Sequence, residues 1–138
     1  YLAEEYVPAI DKRVLIYRQL ASAQELRVVD ELQEHTEHGF GALPTAGKNL
    51  FDRARVRIRA QRMGISAISL ISGRLVFQGI EVPRNKARDL RAKHALYYAK
   101  SKLLRYPFHK ESEDLLPAAL GILEDIGGGD DEDEEASA

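Results

Sequence analysis

The 138-residue chain contains no cysteine and no tryptophan. Without cysteine it cannot form a disulfide, an iron–sulfur cluster, a thiolate zinc site or a cysteine nucleophile. It also lacks a phosphate-binding loop, a Gly-x-Ser-x-Gly turn and an apolar run near the ~18 residues that cross a bilayer. No cationic leader precedes an apolar stretch, and the chain starts at Tyr1 rather than Met. We therefore expect a cytoplasmic piece of a longer polypeptide, with no catalytic residue and no cofactor-binding residue of its own.

Acidic charge is concentrated near the C-terminal end. Residues 130–135 are all Asp or Glu, and they supply 6 of the 22 acidic side chains. Residues 1–129 carry 20 basic and 16 acidic side chains, a net charge of +4. Because the acidic run follows three glycines and repels itself, we predict a disordered tail over residues 128–138 and a single domain over residues 1–127. We interpret the tail as a segment that keeps the protein soluble. Alternatively, it attracts a basic partner or covers the basic surface of residues 1–129.

Apolar periodicity predicts three helices in the N-terminal half. The first runs from Ile10 to Ala21, and its apolar positions are Ile10, Val14, Tyr17, Leu20 and Ala21. The spacing Ser22-x-x-Glu25 predicts a capping box that starts a second helix, which should end at Gly39. A third helix should run from Thr45 to Met63, because nineteen residues between a cap and a glycine stop suit a helix better than a strand.

The C-terminal half predicts two short hairpins, one basic helix and one final helix. The first hairpin consists of strands Ile68–Ile71 and Leu75–Gln78 around a Ser72-Gly73 turn, and a helix Pro83–His94 follows it. The second hairpin consists of strands Ala95–Tyr98 and Leu103–Tyr106. The final helix is capped by Ser112 and has Glu113 and Asp114 in its first turn. Pro117 should delay or kink the last helix. The order predicts an α+β domain with a mixed or antiparallel sheet.

A basic segment over residues 84–110 is one candidate binding surface. It holds nine Lys or Arg against one acid, with tyrosines and Phe108 interleaved. Such a mixture is able to contact phosphates and stack on bases, but the common alternative is that the aromatics face the core and the cations face water. The candidate phosphate contacts are Arg84, Lys86, Arg88, Arg91 and Lys93.

His35 and His38 are the residues that best suit a metal ligand pair. Their i, i+3 spacing places them on one side of a helix, as a zinc or nickel site requires. A third ligand, His94 or His109, would have to come from a distant element. We therefore favour a solvated polar helix end and predict no metal site.

Three stretches in this order and spacing resemble one family. They are Asp11-x-Arg13-x-x-x-Tyr17-Arg18-x-Leu20-Ala21, then Phe40-Gly41-x-Leu43-Pro44 with Asn49-Leu50, and then Ala54-Arg55-x-Arg57-x-x-Ala60-x-x-x-Gly64-Ile65. Together they resemble the C-terminal domain of the bacterial transcription-repair coupling factor (Mfd). The resemblance covers roughly residues 6–66, and from there to Gly127 only the outline of elements matches.

The resemblance implies a non-catalytic, autoinhibitory domain of an ATP-dependent DNA translocase. In that family the domain folds back on the UvrA-binding module of the same chain and hides it until RNA polymerase is engaged. ATP, magnesium and the contacts with DNA would belong to upstream parts of the parent protein, and UvrA and polymerase would be indirect partners. No membrane contact is implied.

The resemblance also implies where the contact lies. The family commonly carries a Glu-Leu-x-Asp-Arg-like stretch before Phe-Gly, and here His35, His38 and Gly39 replace its Glu, Asp and Arg. Either the contact is rebuilt through nearby glutamates or it is weaker in this chain. The candidate interface residues are Glu31, Glu34, His35, Glu37 and His38. The alternative function is a nucleic-acid-binding module that uses the basic segment.

Overall fold

The structure is a computed structural model that describes residues 2–109 and 114–127. Its elements are α1 (Ile10–Ser22), α2 (Leu26–Phe40), α3 (Thr45–Arg62), β1 (Ala67–Ile71), β2 (Arg74–Gln78), α4 (Arg84–Ala92), β3 (Leu96–Tyr98), β4 (Leu103–Pro107) and α5 (Leu115–Ile126). The predicted α+β class and all the predicted elements are confirmed. The chain divides into two compact units, Tyr1–Ile58 and Arg59–Ala138, with the boundary inside α3.

The first unit is a helical cluster around an apolar core. Phe51 and Val29 are fully buried, and Ile58 is nearly so. The core residues of the three helices in this unit are Ile16, Leu20, Leu26, Val29, Phe51, Ala54 and Ile58. In α3, Phe51, Ala54 and Ile58 supply the buried face, and Leu50 packs against it partly buried.

The predicted apolar stripe of α1 is partly wrong. Ile10 and Val14 are 69% and 40% exposed, whereas Ile16, outside the stripe, is buried together with Leu20. The helix carries apolar residues on more than one side, so its sequence does not fix which side turns inward. Packing against the rest of the unit makes that choice, and it leaves Ile10 and Leu15 at the surface.

The start of α2 also differs from the prediction. Ser22 is the last residue of α1, and its hydroxyl donates a hydrogen bond to the carbonyl of Gln19 at 3.2 Å. The N-cap of α2 is Glu25, which makes no side-chain capping bond. The predicted capping box is therefore absent, because its serine already belongs to the preceding helix.

The end of α2 lies one residue beyond the predicted stop. Gly39 is helical, and Gly41 forms the C-cap with φ of 88°. Glycine is favoured there because a side chain at positive φ is strained.

The second unit contains one antiparallel sheet with strand order β1-β2-β4-β3. Both predicted hairpins join it, because β2 pairs with β4. One register row crosses all four strands and consists of Ile68, Phe77, Leu104 and Tyr97. Phe77 and Leu104 are fully buried in this row, and Leu90 of α4 and Leu123 of α5 are buried in the same unit.

The final helix begins later than its predicted cap. Asp114 is the N-cap residue rather than part of the first turn, and α5 starts at Leu115. Pro117 is therefore the third helical residue, where its missing N–H removes no intrahelical bond. The predicted roles of Ser112 and Glu113, like the predicted disorder of residues 128–138, lie outside the described residues.

Within residues 2–109 and 114–127, no helix is both long and apolar enough to cross a membrane.

Candidate functional site: a groove between two helices

A groove of about 1060 Å³ lies along α1 and α2. Its floor and walls include apolar side chains from both helices. They are Leu15 and Ile16 from α1, and Val28, Leu32 and Phe40 from α2. Leu15 is 55% exposed, so the groove presents apolar surface to solvent.

Three of the five candidate interface residues line this groove. Glu31, His35 and His38 stand at i, i+4 and i+7 on α2, a spacing that places them on one face of the helix. All three are exposed. These three predicted interface residues therefore form a polar row beside the apolar residues of the groove. This arrangement suits the binding of another protein surface.

Glu37 has a structural role that the sequence did not reveal. One of its carboxylate oxygens accepts a hydrogen bond from the backbone N–H of Leu43 at 3.2 Å, and the other accepts one from Gln33 Nε2 at 3.2 Å. The side chain thus holds the loop after α2 in place. Leu43 itself is buried, so this carboxylate supports the fold of the loop.

Glu34 is exposed and lies outside the groove lining. Glu31 forms an exposed i, i+4 ion pair with Arg27 at 3.2 Å, and Arg27 also pairs with Glu25 at 3.0 Å. These carboxylates raise the pKa of Arg27 above its ordinary value, chiefly through the hydrogen bond to Glu25. The α2 rim of the groove therefore carries both signs of charge.

The end of the groove near Phe40 is built by aromatic contacts. The ring of Phe40 packs against Tyr6 with centroids 5.9 Å apart, and Lys12 Nζ lies 5.9 Å from its centroid. The Tyr6 hydroxyl donates to the carbonyl of Gly41. Burial raises the pKa of Tyr6, and the nearby Glu37 carboxylate adds to the rise. Phe40 of the second resemblance stretch thus lines the groove, while the carbonyl of the following Gly41 holds the Tyr6 hydroxyl.

Arginines of α3 fix the position of the two groove helices. Arg57 Nη2 donates to the carbonyls of Leu20 and Ala23, at 2.9 Å and 2.8 Å, where α1 ends. Arg55 pairs with Asp30 of α2 at 3.0 Å and with Asp52 at 3.1 Å. Two of the alternating arginines, Arg55 and Arg57, therefore connect α3 to the groove helices.

The basic segment divides into exposed cations and aromatics that support the fold. Arg84, Arg88 and Arg91 are exposed on α4, and Lys86 is half-buried. The Tyr97 hydroxyl donates to the carbonyl of Ile80 at 2.9 Å and accepts from the N–H of Val82 at 3.2 Å. Tyr97 therefore positions the chain that leads into α4.

Two lysines of the basic segment are paired. Lys93 Nζ lies 3.5 Å from an Asp125 oxygen, and Lys102 Nζ lies 2.8 Å from a Glu81 oxygen. The second pair lowers the pKa of Glu81 and raises that of Lys102, in both cases mainly through their hydrogen bond. Phe108 is buried, whereas Tyr98 is 44% exposed.

His35 and His38 both line the groove. Among the described residues, no group of three or more His, Cys, Asp or Glu side chains is placed to hold a metal ion.

Comparison with known proteins gives one family match. A family model described as the TRCF domain matches residues 1–90. The transcription-repair-coupling factor of Escherichia coli (strain K12) is 33% identical over 64 residues, which is 46% of this chain and 6% of that protein. The protein of the same name from Buchnera aphidicola subsp. Acyrthosiphon pisum (strain APS) is 33% identical over 67 residues, or 49% of this chain and 8% of that protein. The chain thus spans under a tenth of the length of these relatives.

A solved structure shares the fold. It is described as the crystal structure of the C-terminal domain of transcription-repair coupling factor, and it superimposes with a TM-score of 0.69 at 16% identity. The match covers 92% of this chain and 84% of that chain. The family model covers residues 1–90, which include both groove helices, whereas the structural match extends over 92% of the chain.

Proposed function

The chain belongs to the TRCF domain family, and from that premise we propose that it is a non-catalytic regulatory domain of a transcription-repair coupling factor. In this proposal the α1–α2 groove binds the UvrA-binding module of the same polypeptide and masks it until RNA polymerase is engaged. The role belongs to transcription-coupled DNA repair, and the ATP-dependent translocation of DNA belongs to other parts of the parent protein.

One observation carries the proposal. The positions to which the family resemblance assigns the masking contact, His35 and His38, lie on the rim of an exposed apolar groove. Exposed apolar surface rimmed by polar side chains is typical of a protein-binding site.

Tethering lowers the affinity that such a mask needs. A contact between two parts of one chain acts at an effective concentration of about millimolar. The masked and open states then form a two-state equilibrium, and a partner that binds only the open state shifts it.

Binding of the isolated UvrA-binding module from the same source to residues 1–138, measured by isothermal titration calorimetry, tests the proposal. Leu15→Glu introduces a charge into the groove at a side chain that is 55% exposed. We expect it to weaken binding at least about tenfold, since a charge buried without a partner is strongly unfavourable.

Ile10→Glu is the matched control. Ile10 lies on the same helix and is more exposed, at 69%, but it does not line the groove. We expect this variant to bind as the unaltered chain does. Equal binding by both variants would place the contact elsewhere, and no binding up to millimolar concentration would refute the masking role.

The charged rim gives a second comparison. Glu31→Lys changes a groove residue, whereas Glu34→Lys changes an exposed neighbour outside the groove. We expect only the first to alter the affinity clearly. Glu37 is unsuitable for this purpose, because its carboxylate holds the N–H of Leu43.

A second candidate function is nucleic-acid binding by α4. It is favoured by the exposed Arg84, Arg88 and Arg91, which stand on one face of the helix. The engagement of Tyr97 with Ile80 and Val82 leaves phosphate contacts, rather than base stacking by that ring, as the mode of binding.

A further inference from the structure

The three exposed arginines of α4 form a stripe of like charge. Arg84, Arg88 and Arg91 stand at i, i+4 and i+7, and we call this set the arginine stripe. Ion pairs of the described residues near this helix use Lys93 and Lys102, whereas none of them uses an arginine of the stripe.

The stripe is electrostatically unfavourable for the helix that carries it. Like charges at i, i+4 repel each other, and Arg84 stands in the first turn, at the positive end of the helix dipole. The first turn of α4 contains no acidic residue that would offset this. An anionic neighbour would offset both the repulsion between the arginines and the unfavourable position of Arg84 in the helix dipole. The arginine stripe therefore favours binding of an anionic group.

The chain supplies an anionic segment close to this helix. Lys93, the C-cap of α4, lies 3.5 Å from Asp125 in the last turn of α5. The end of α5 is therefore beside the end of α4. Residues 130–135, with six consecutive carboxylates, begin five positions after Asp125.

The distances fit. An extended chain spans at most about 3.3–3.6 Å per residue, so beyond Ile126, the last residue of α5, Asp130 can reach about 14 Å and Glu135 about 31 Å. The nine residues of α4 extend over about 14 Å. The acidic segment therefore reaches every arginine of the stripe without displacing α5, and Gly128 and Gly129 before it permit a reversal of direction.

We propose that the arginine stripe is the docking surface for residues 130–135 of the same chain. The contact is intramolecular and electrostatic, and it acts at an effective concentration of about millimolar. It keeps other polyanions away from α4 until they displace the tail. This inference does not depend on the masking role of the α1–α2 groove, so the two stand or fall separately.

Paramagnetic relaxation enhancement in the full chain tests the contact directly. Since the chain has no cysteine, Ser137→Cys gives one site for a spin label. In about 0.1 M salt we expect the backbone amide signals of α4 to lose at least half of their intensity. In about 1 M salt, where the Debye length falls from about 10 Å to about 3 Å, they should recover. The amides of β1, at the opposite edge of the sheet from β3, are the internal reference.

Two variants separate a specific contact from mere proximity. The first neutralises the tail through Asp130→Asn, Asp131→Asn, Glu132→Gln, Asp133→Asn, Glu134→Gln and Glu135→Gln. The second neutralises the stripe through Arg84→Gln, Arg88→Gln and Arg91→Gln. We expect each to abolish the broadening of α4 while the sheet signals keep their positions.

Other results would overturn the inference. Broadening of α4 that persists with the neutral tail, or that is absent from the unaltered chain in low salt, would show that charge does not dock the segment. Broadening confined to another basic surface would assign the tail to that surface. Should the stripe variant fail to fold, the tail variant alone still decides, because its changes lie outside every described element.

Discussion

Single residues show where sequence reasoning about the site succeeds and where it stops. The spacing of His35 and His38 predicts a shared helix face, and both histidines line the groove. Glu37 lies in the same polar stretch of α2, yet its carboxylate accepts a hydrogen bond from the backbone N–H of Leu43. That bond depends on the path of the loop after α2, which no helical periodicity encodes.

Arg57 gives a prediction at this scale. Arg57→Met keeps most of the aliphatic stem but removes the two hydrogen bonds to the carbonyls of Leu20 and Ala23. We expect a loss of about 1–3 kcal/mol in the free energy of unfolding, because the carbonyls at the end of α1 lose a charged donor. Urea denaturation followed by circular dichroism measures the change.

Arg53→Met is the control for that experiment. Arg53 lies on the same helix and is exposed, so its replacement should change the stability by less than about 0.5 kcal/mol. A similar loss in both variants would mean that helix propensity or net charge, rather than the bridge from Arg57, governs the effect.

Secondary-structure elements were more predictable than their ends. Glycine stops, apolar and aromatic runs and a Ser-Gly turn located the helices and strands of the described residues, because these signals are local. The cap of α2 was missed since Ser22 belongs to the preceding helix, and the burial of α1 was missed since Ile10 and Ile16 are equally apolar. The sheet order β1-β2-β4-β3 depends on the pairing of β2 with β4, which joins segments far apart in sequence.

The β1–β2 turn allows a prediction about backbone conformation. Ser72 and Gly73 have φ of 51° and 74°, as a two-residue hairpin turn requires. A Cβ added at Gly73 would meet no atom within 4 Å, so any effect of Gly73→Ala comes from the backbone alone. We expect this variant to lower the free energy of unfolding by about 1–2 kcal/mol.

Gly121→Ala is the matched opposite case. Gly121 lies inside α5, and a Cβ there also meets nothing within 4 Å. Since alanine is the better helix former, we expect a gain of about 0.5–1 kcal/mol. Thermal unfolding of both variants distinguishes the two effects, and a stabilising Gly73→Ala would contradict the turn geometry.

At the scale of the whole molecule, the net charge of −2 conceals two opposed regions. The acidic residues 130–135 offset a body with net charge +4, and the arginine stripe is a part of that body where three exposed cations stand in one row. The net charge of −2 alone would predict that the chain does not bind polyanions. The distribution instead predicts that its affinity for them depends on the acidic segment.

Binding of a short fluorescent DNA duplex, followed by anisotropy, measures that dependence. The variant with the neutral tail should bind more tightly than the unaltered chain, because the stripe no longer has a competing anion. If three arginines each neutralise one phosphate, the logarithm of the affinity should fall with the logarithm of the salt concentration at a slope of about −2.7. Adding Arg84→Gln, Arg88→Gln and Arg91→Gln to the neutral-tail variant should remove both the gain in affinity and the slope. If the gain survived these changes, DNA would be binding to cations outside the stripe. If neutralising the tail produced no gain, the acidic segment would not compete with DNA at all, and the masking role of the groove would be unaffected by either result.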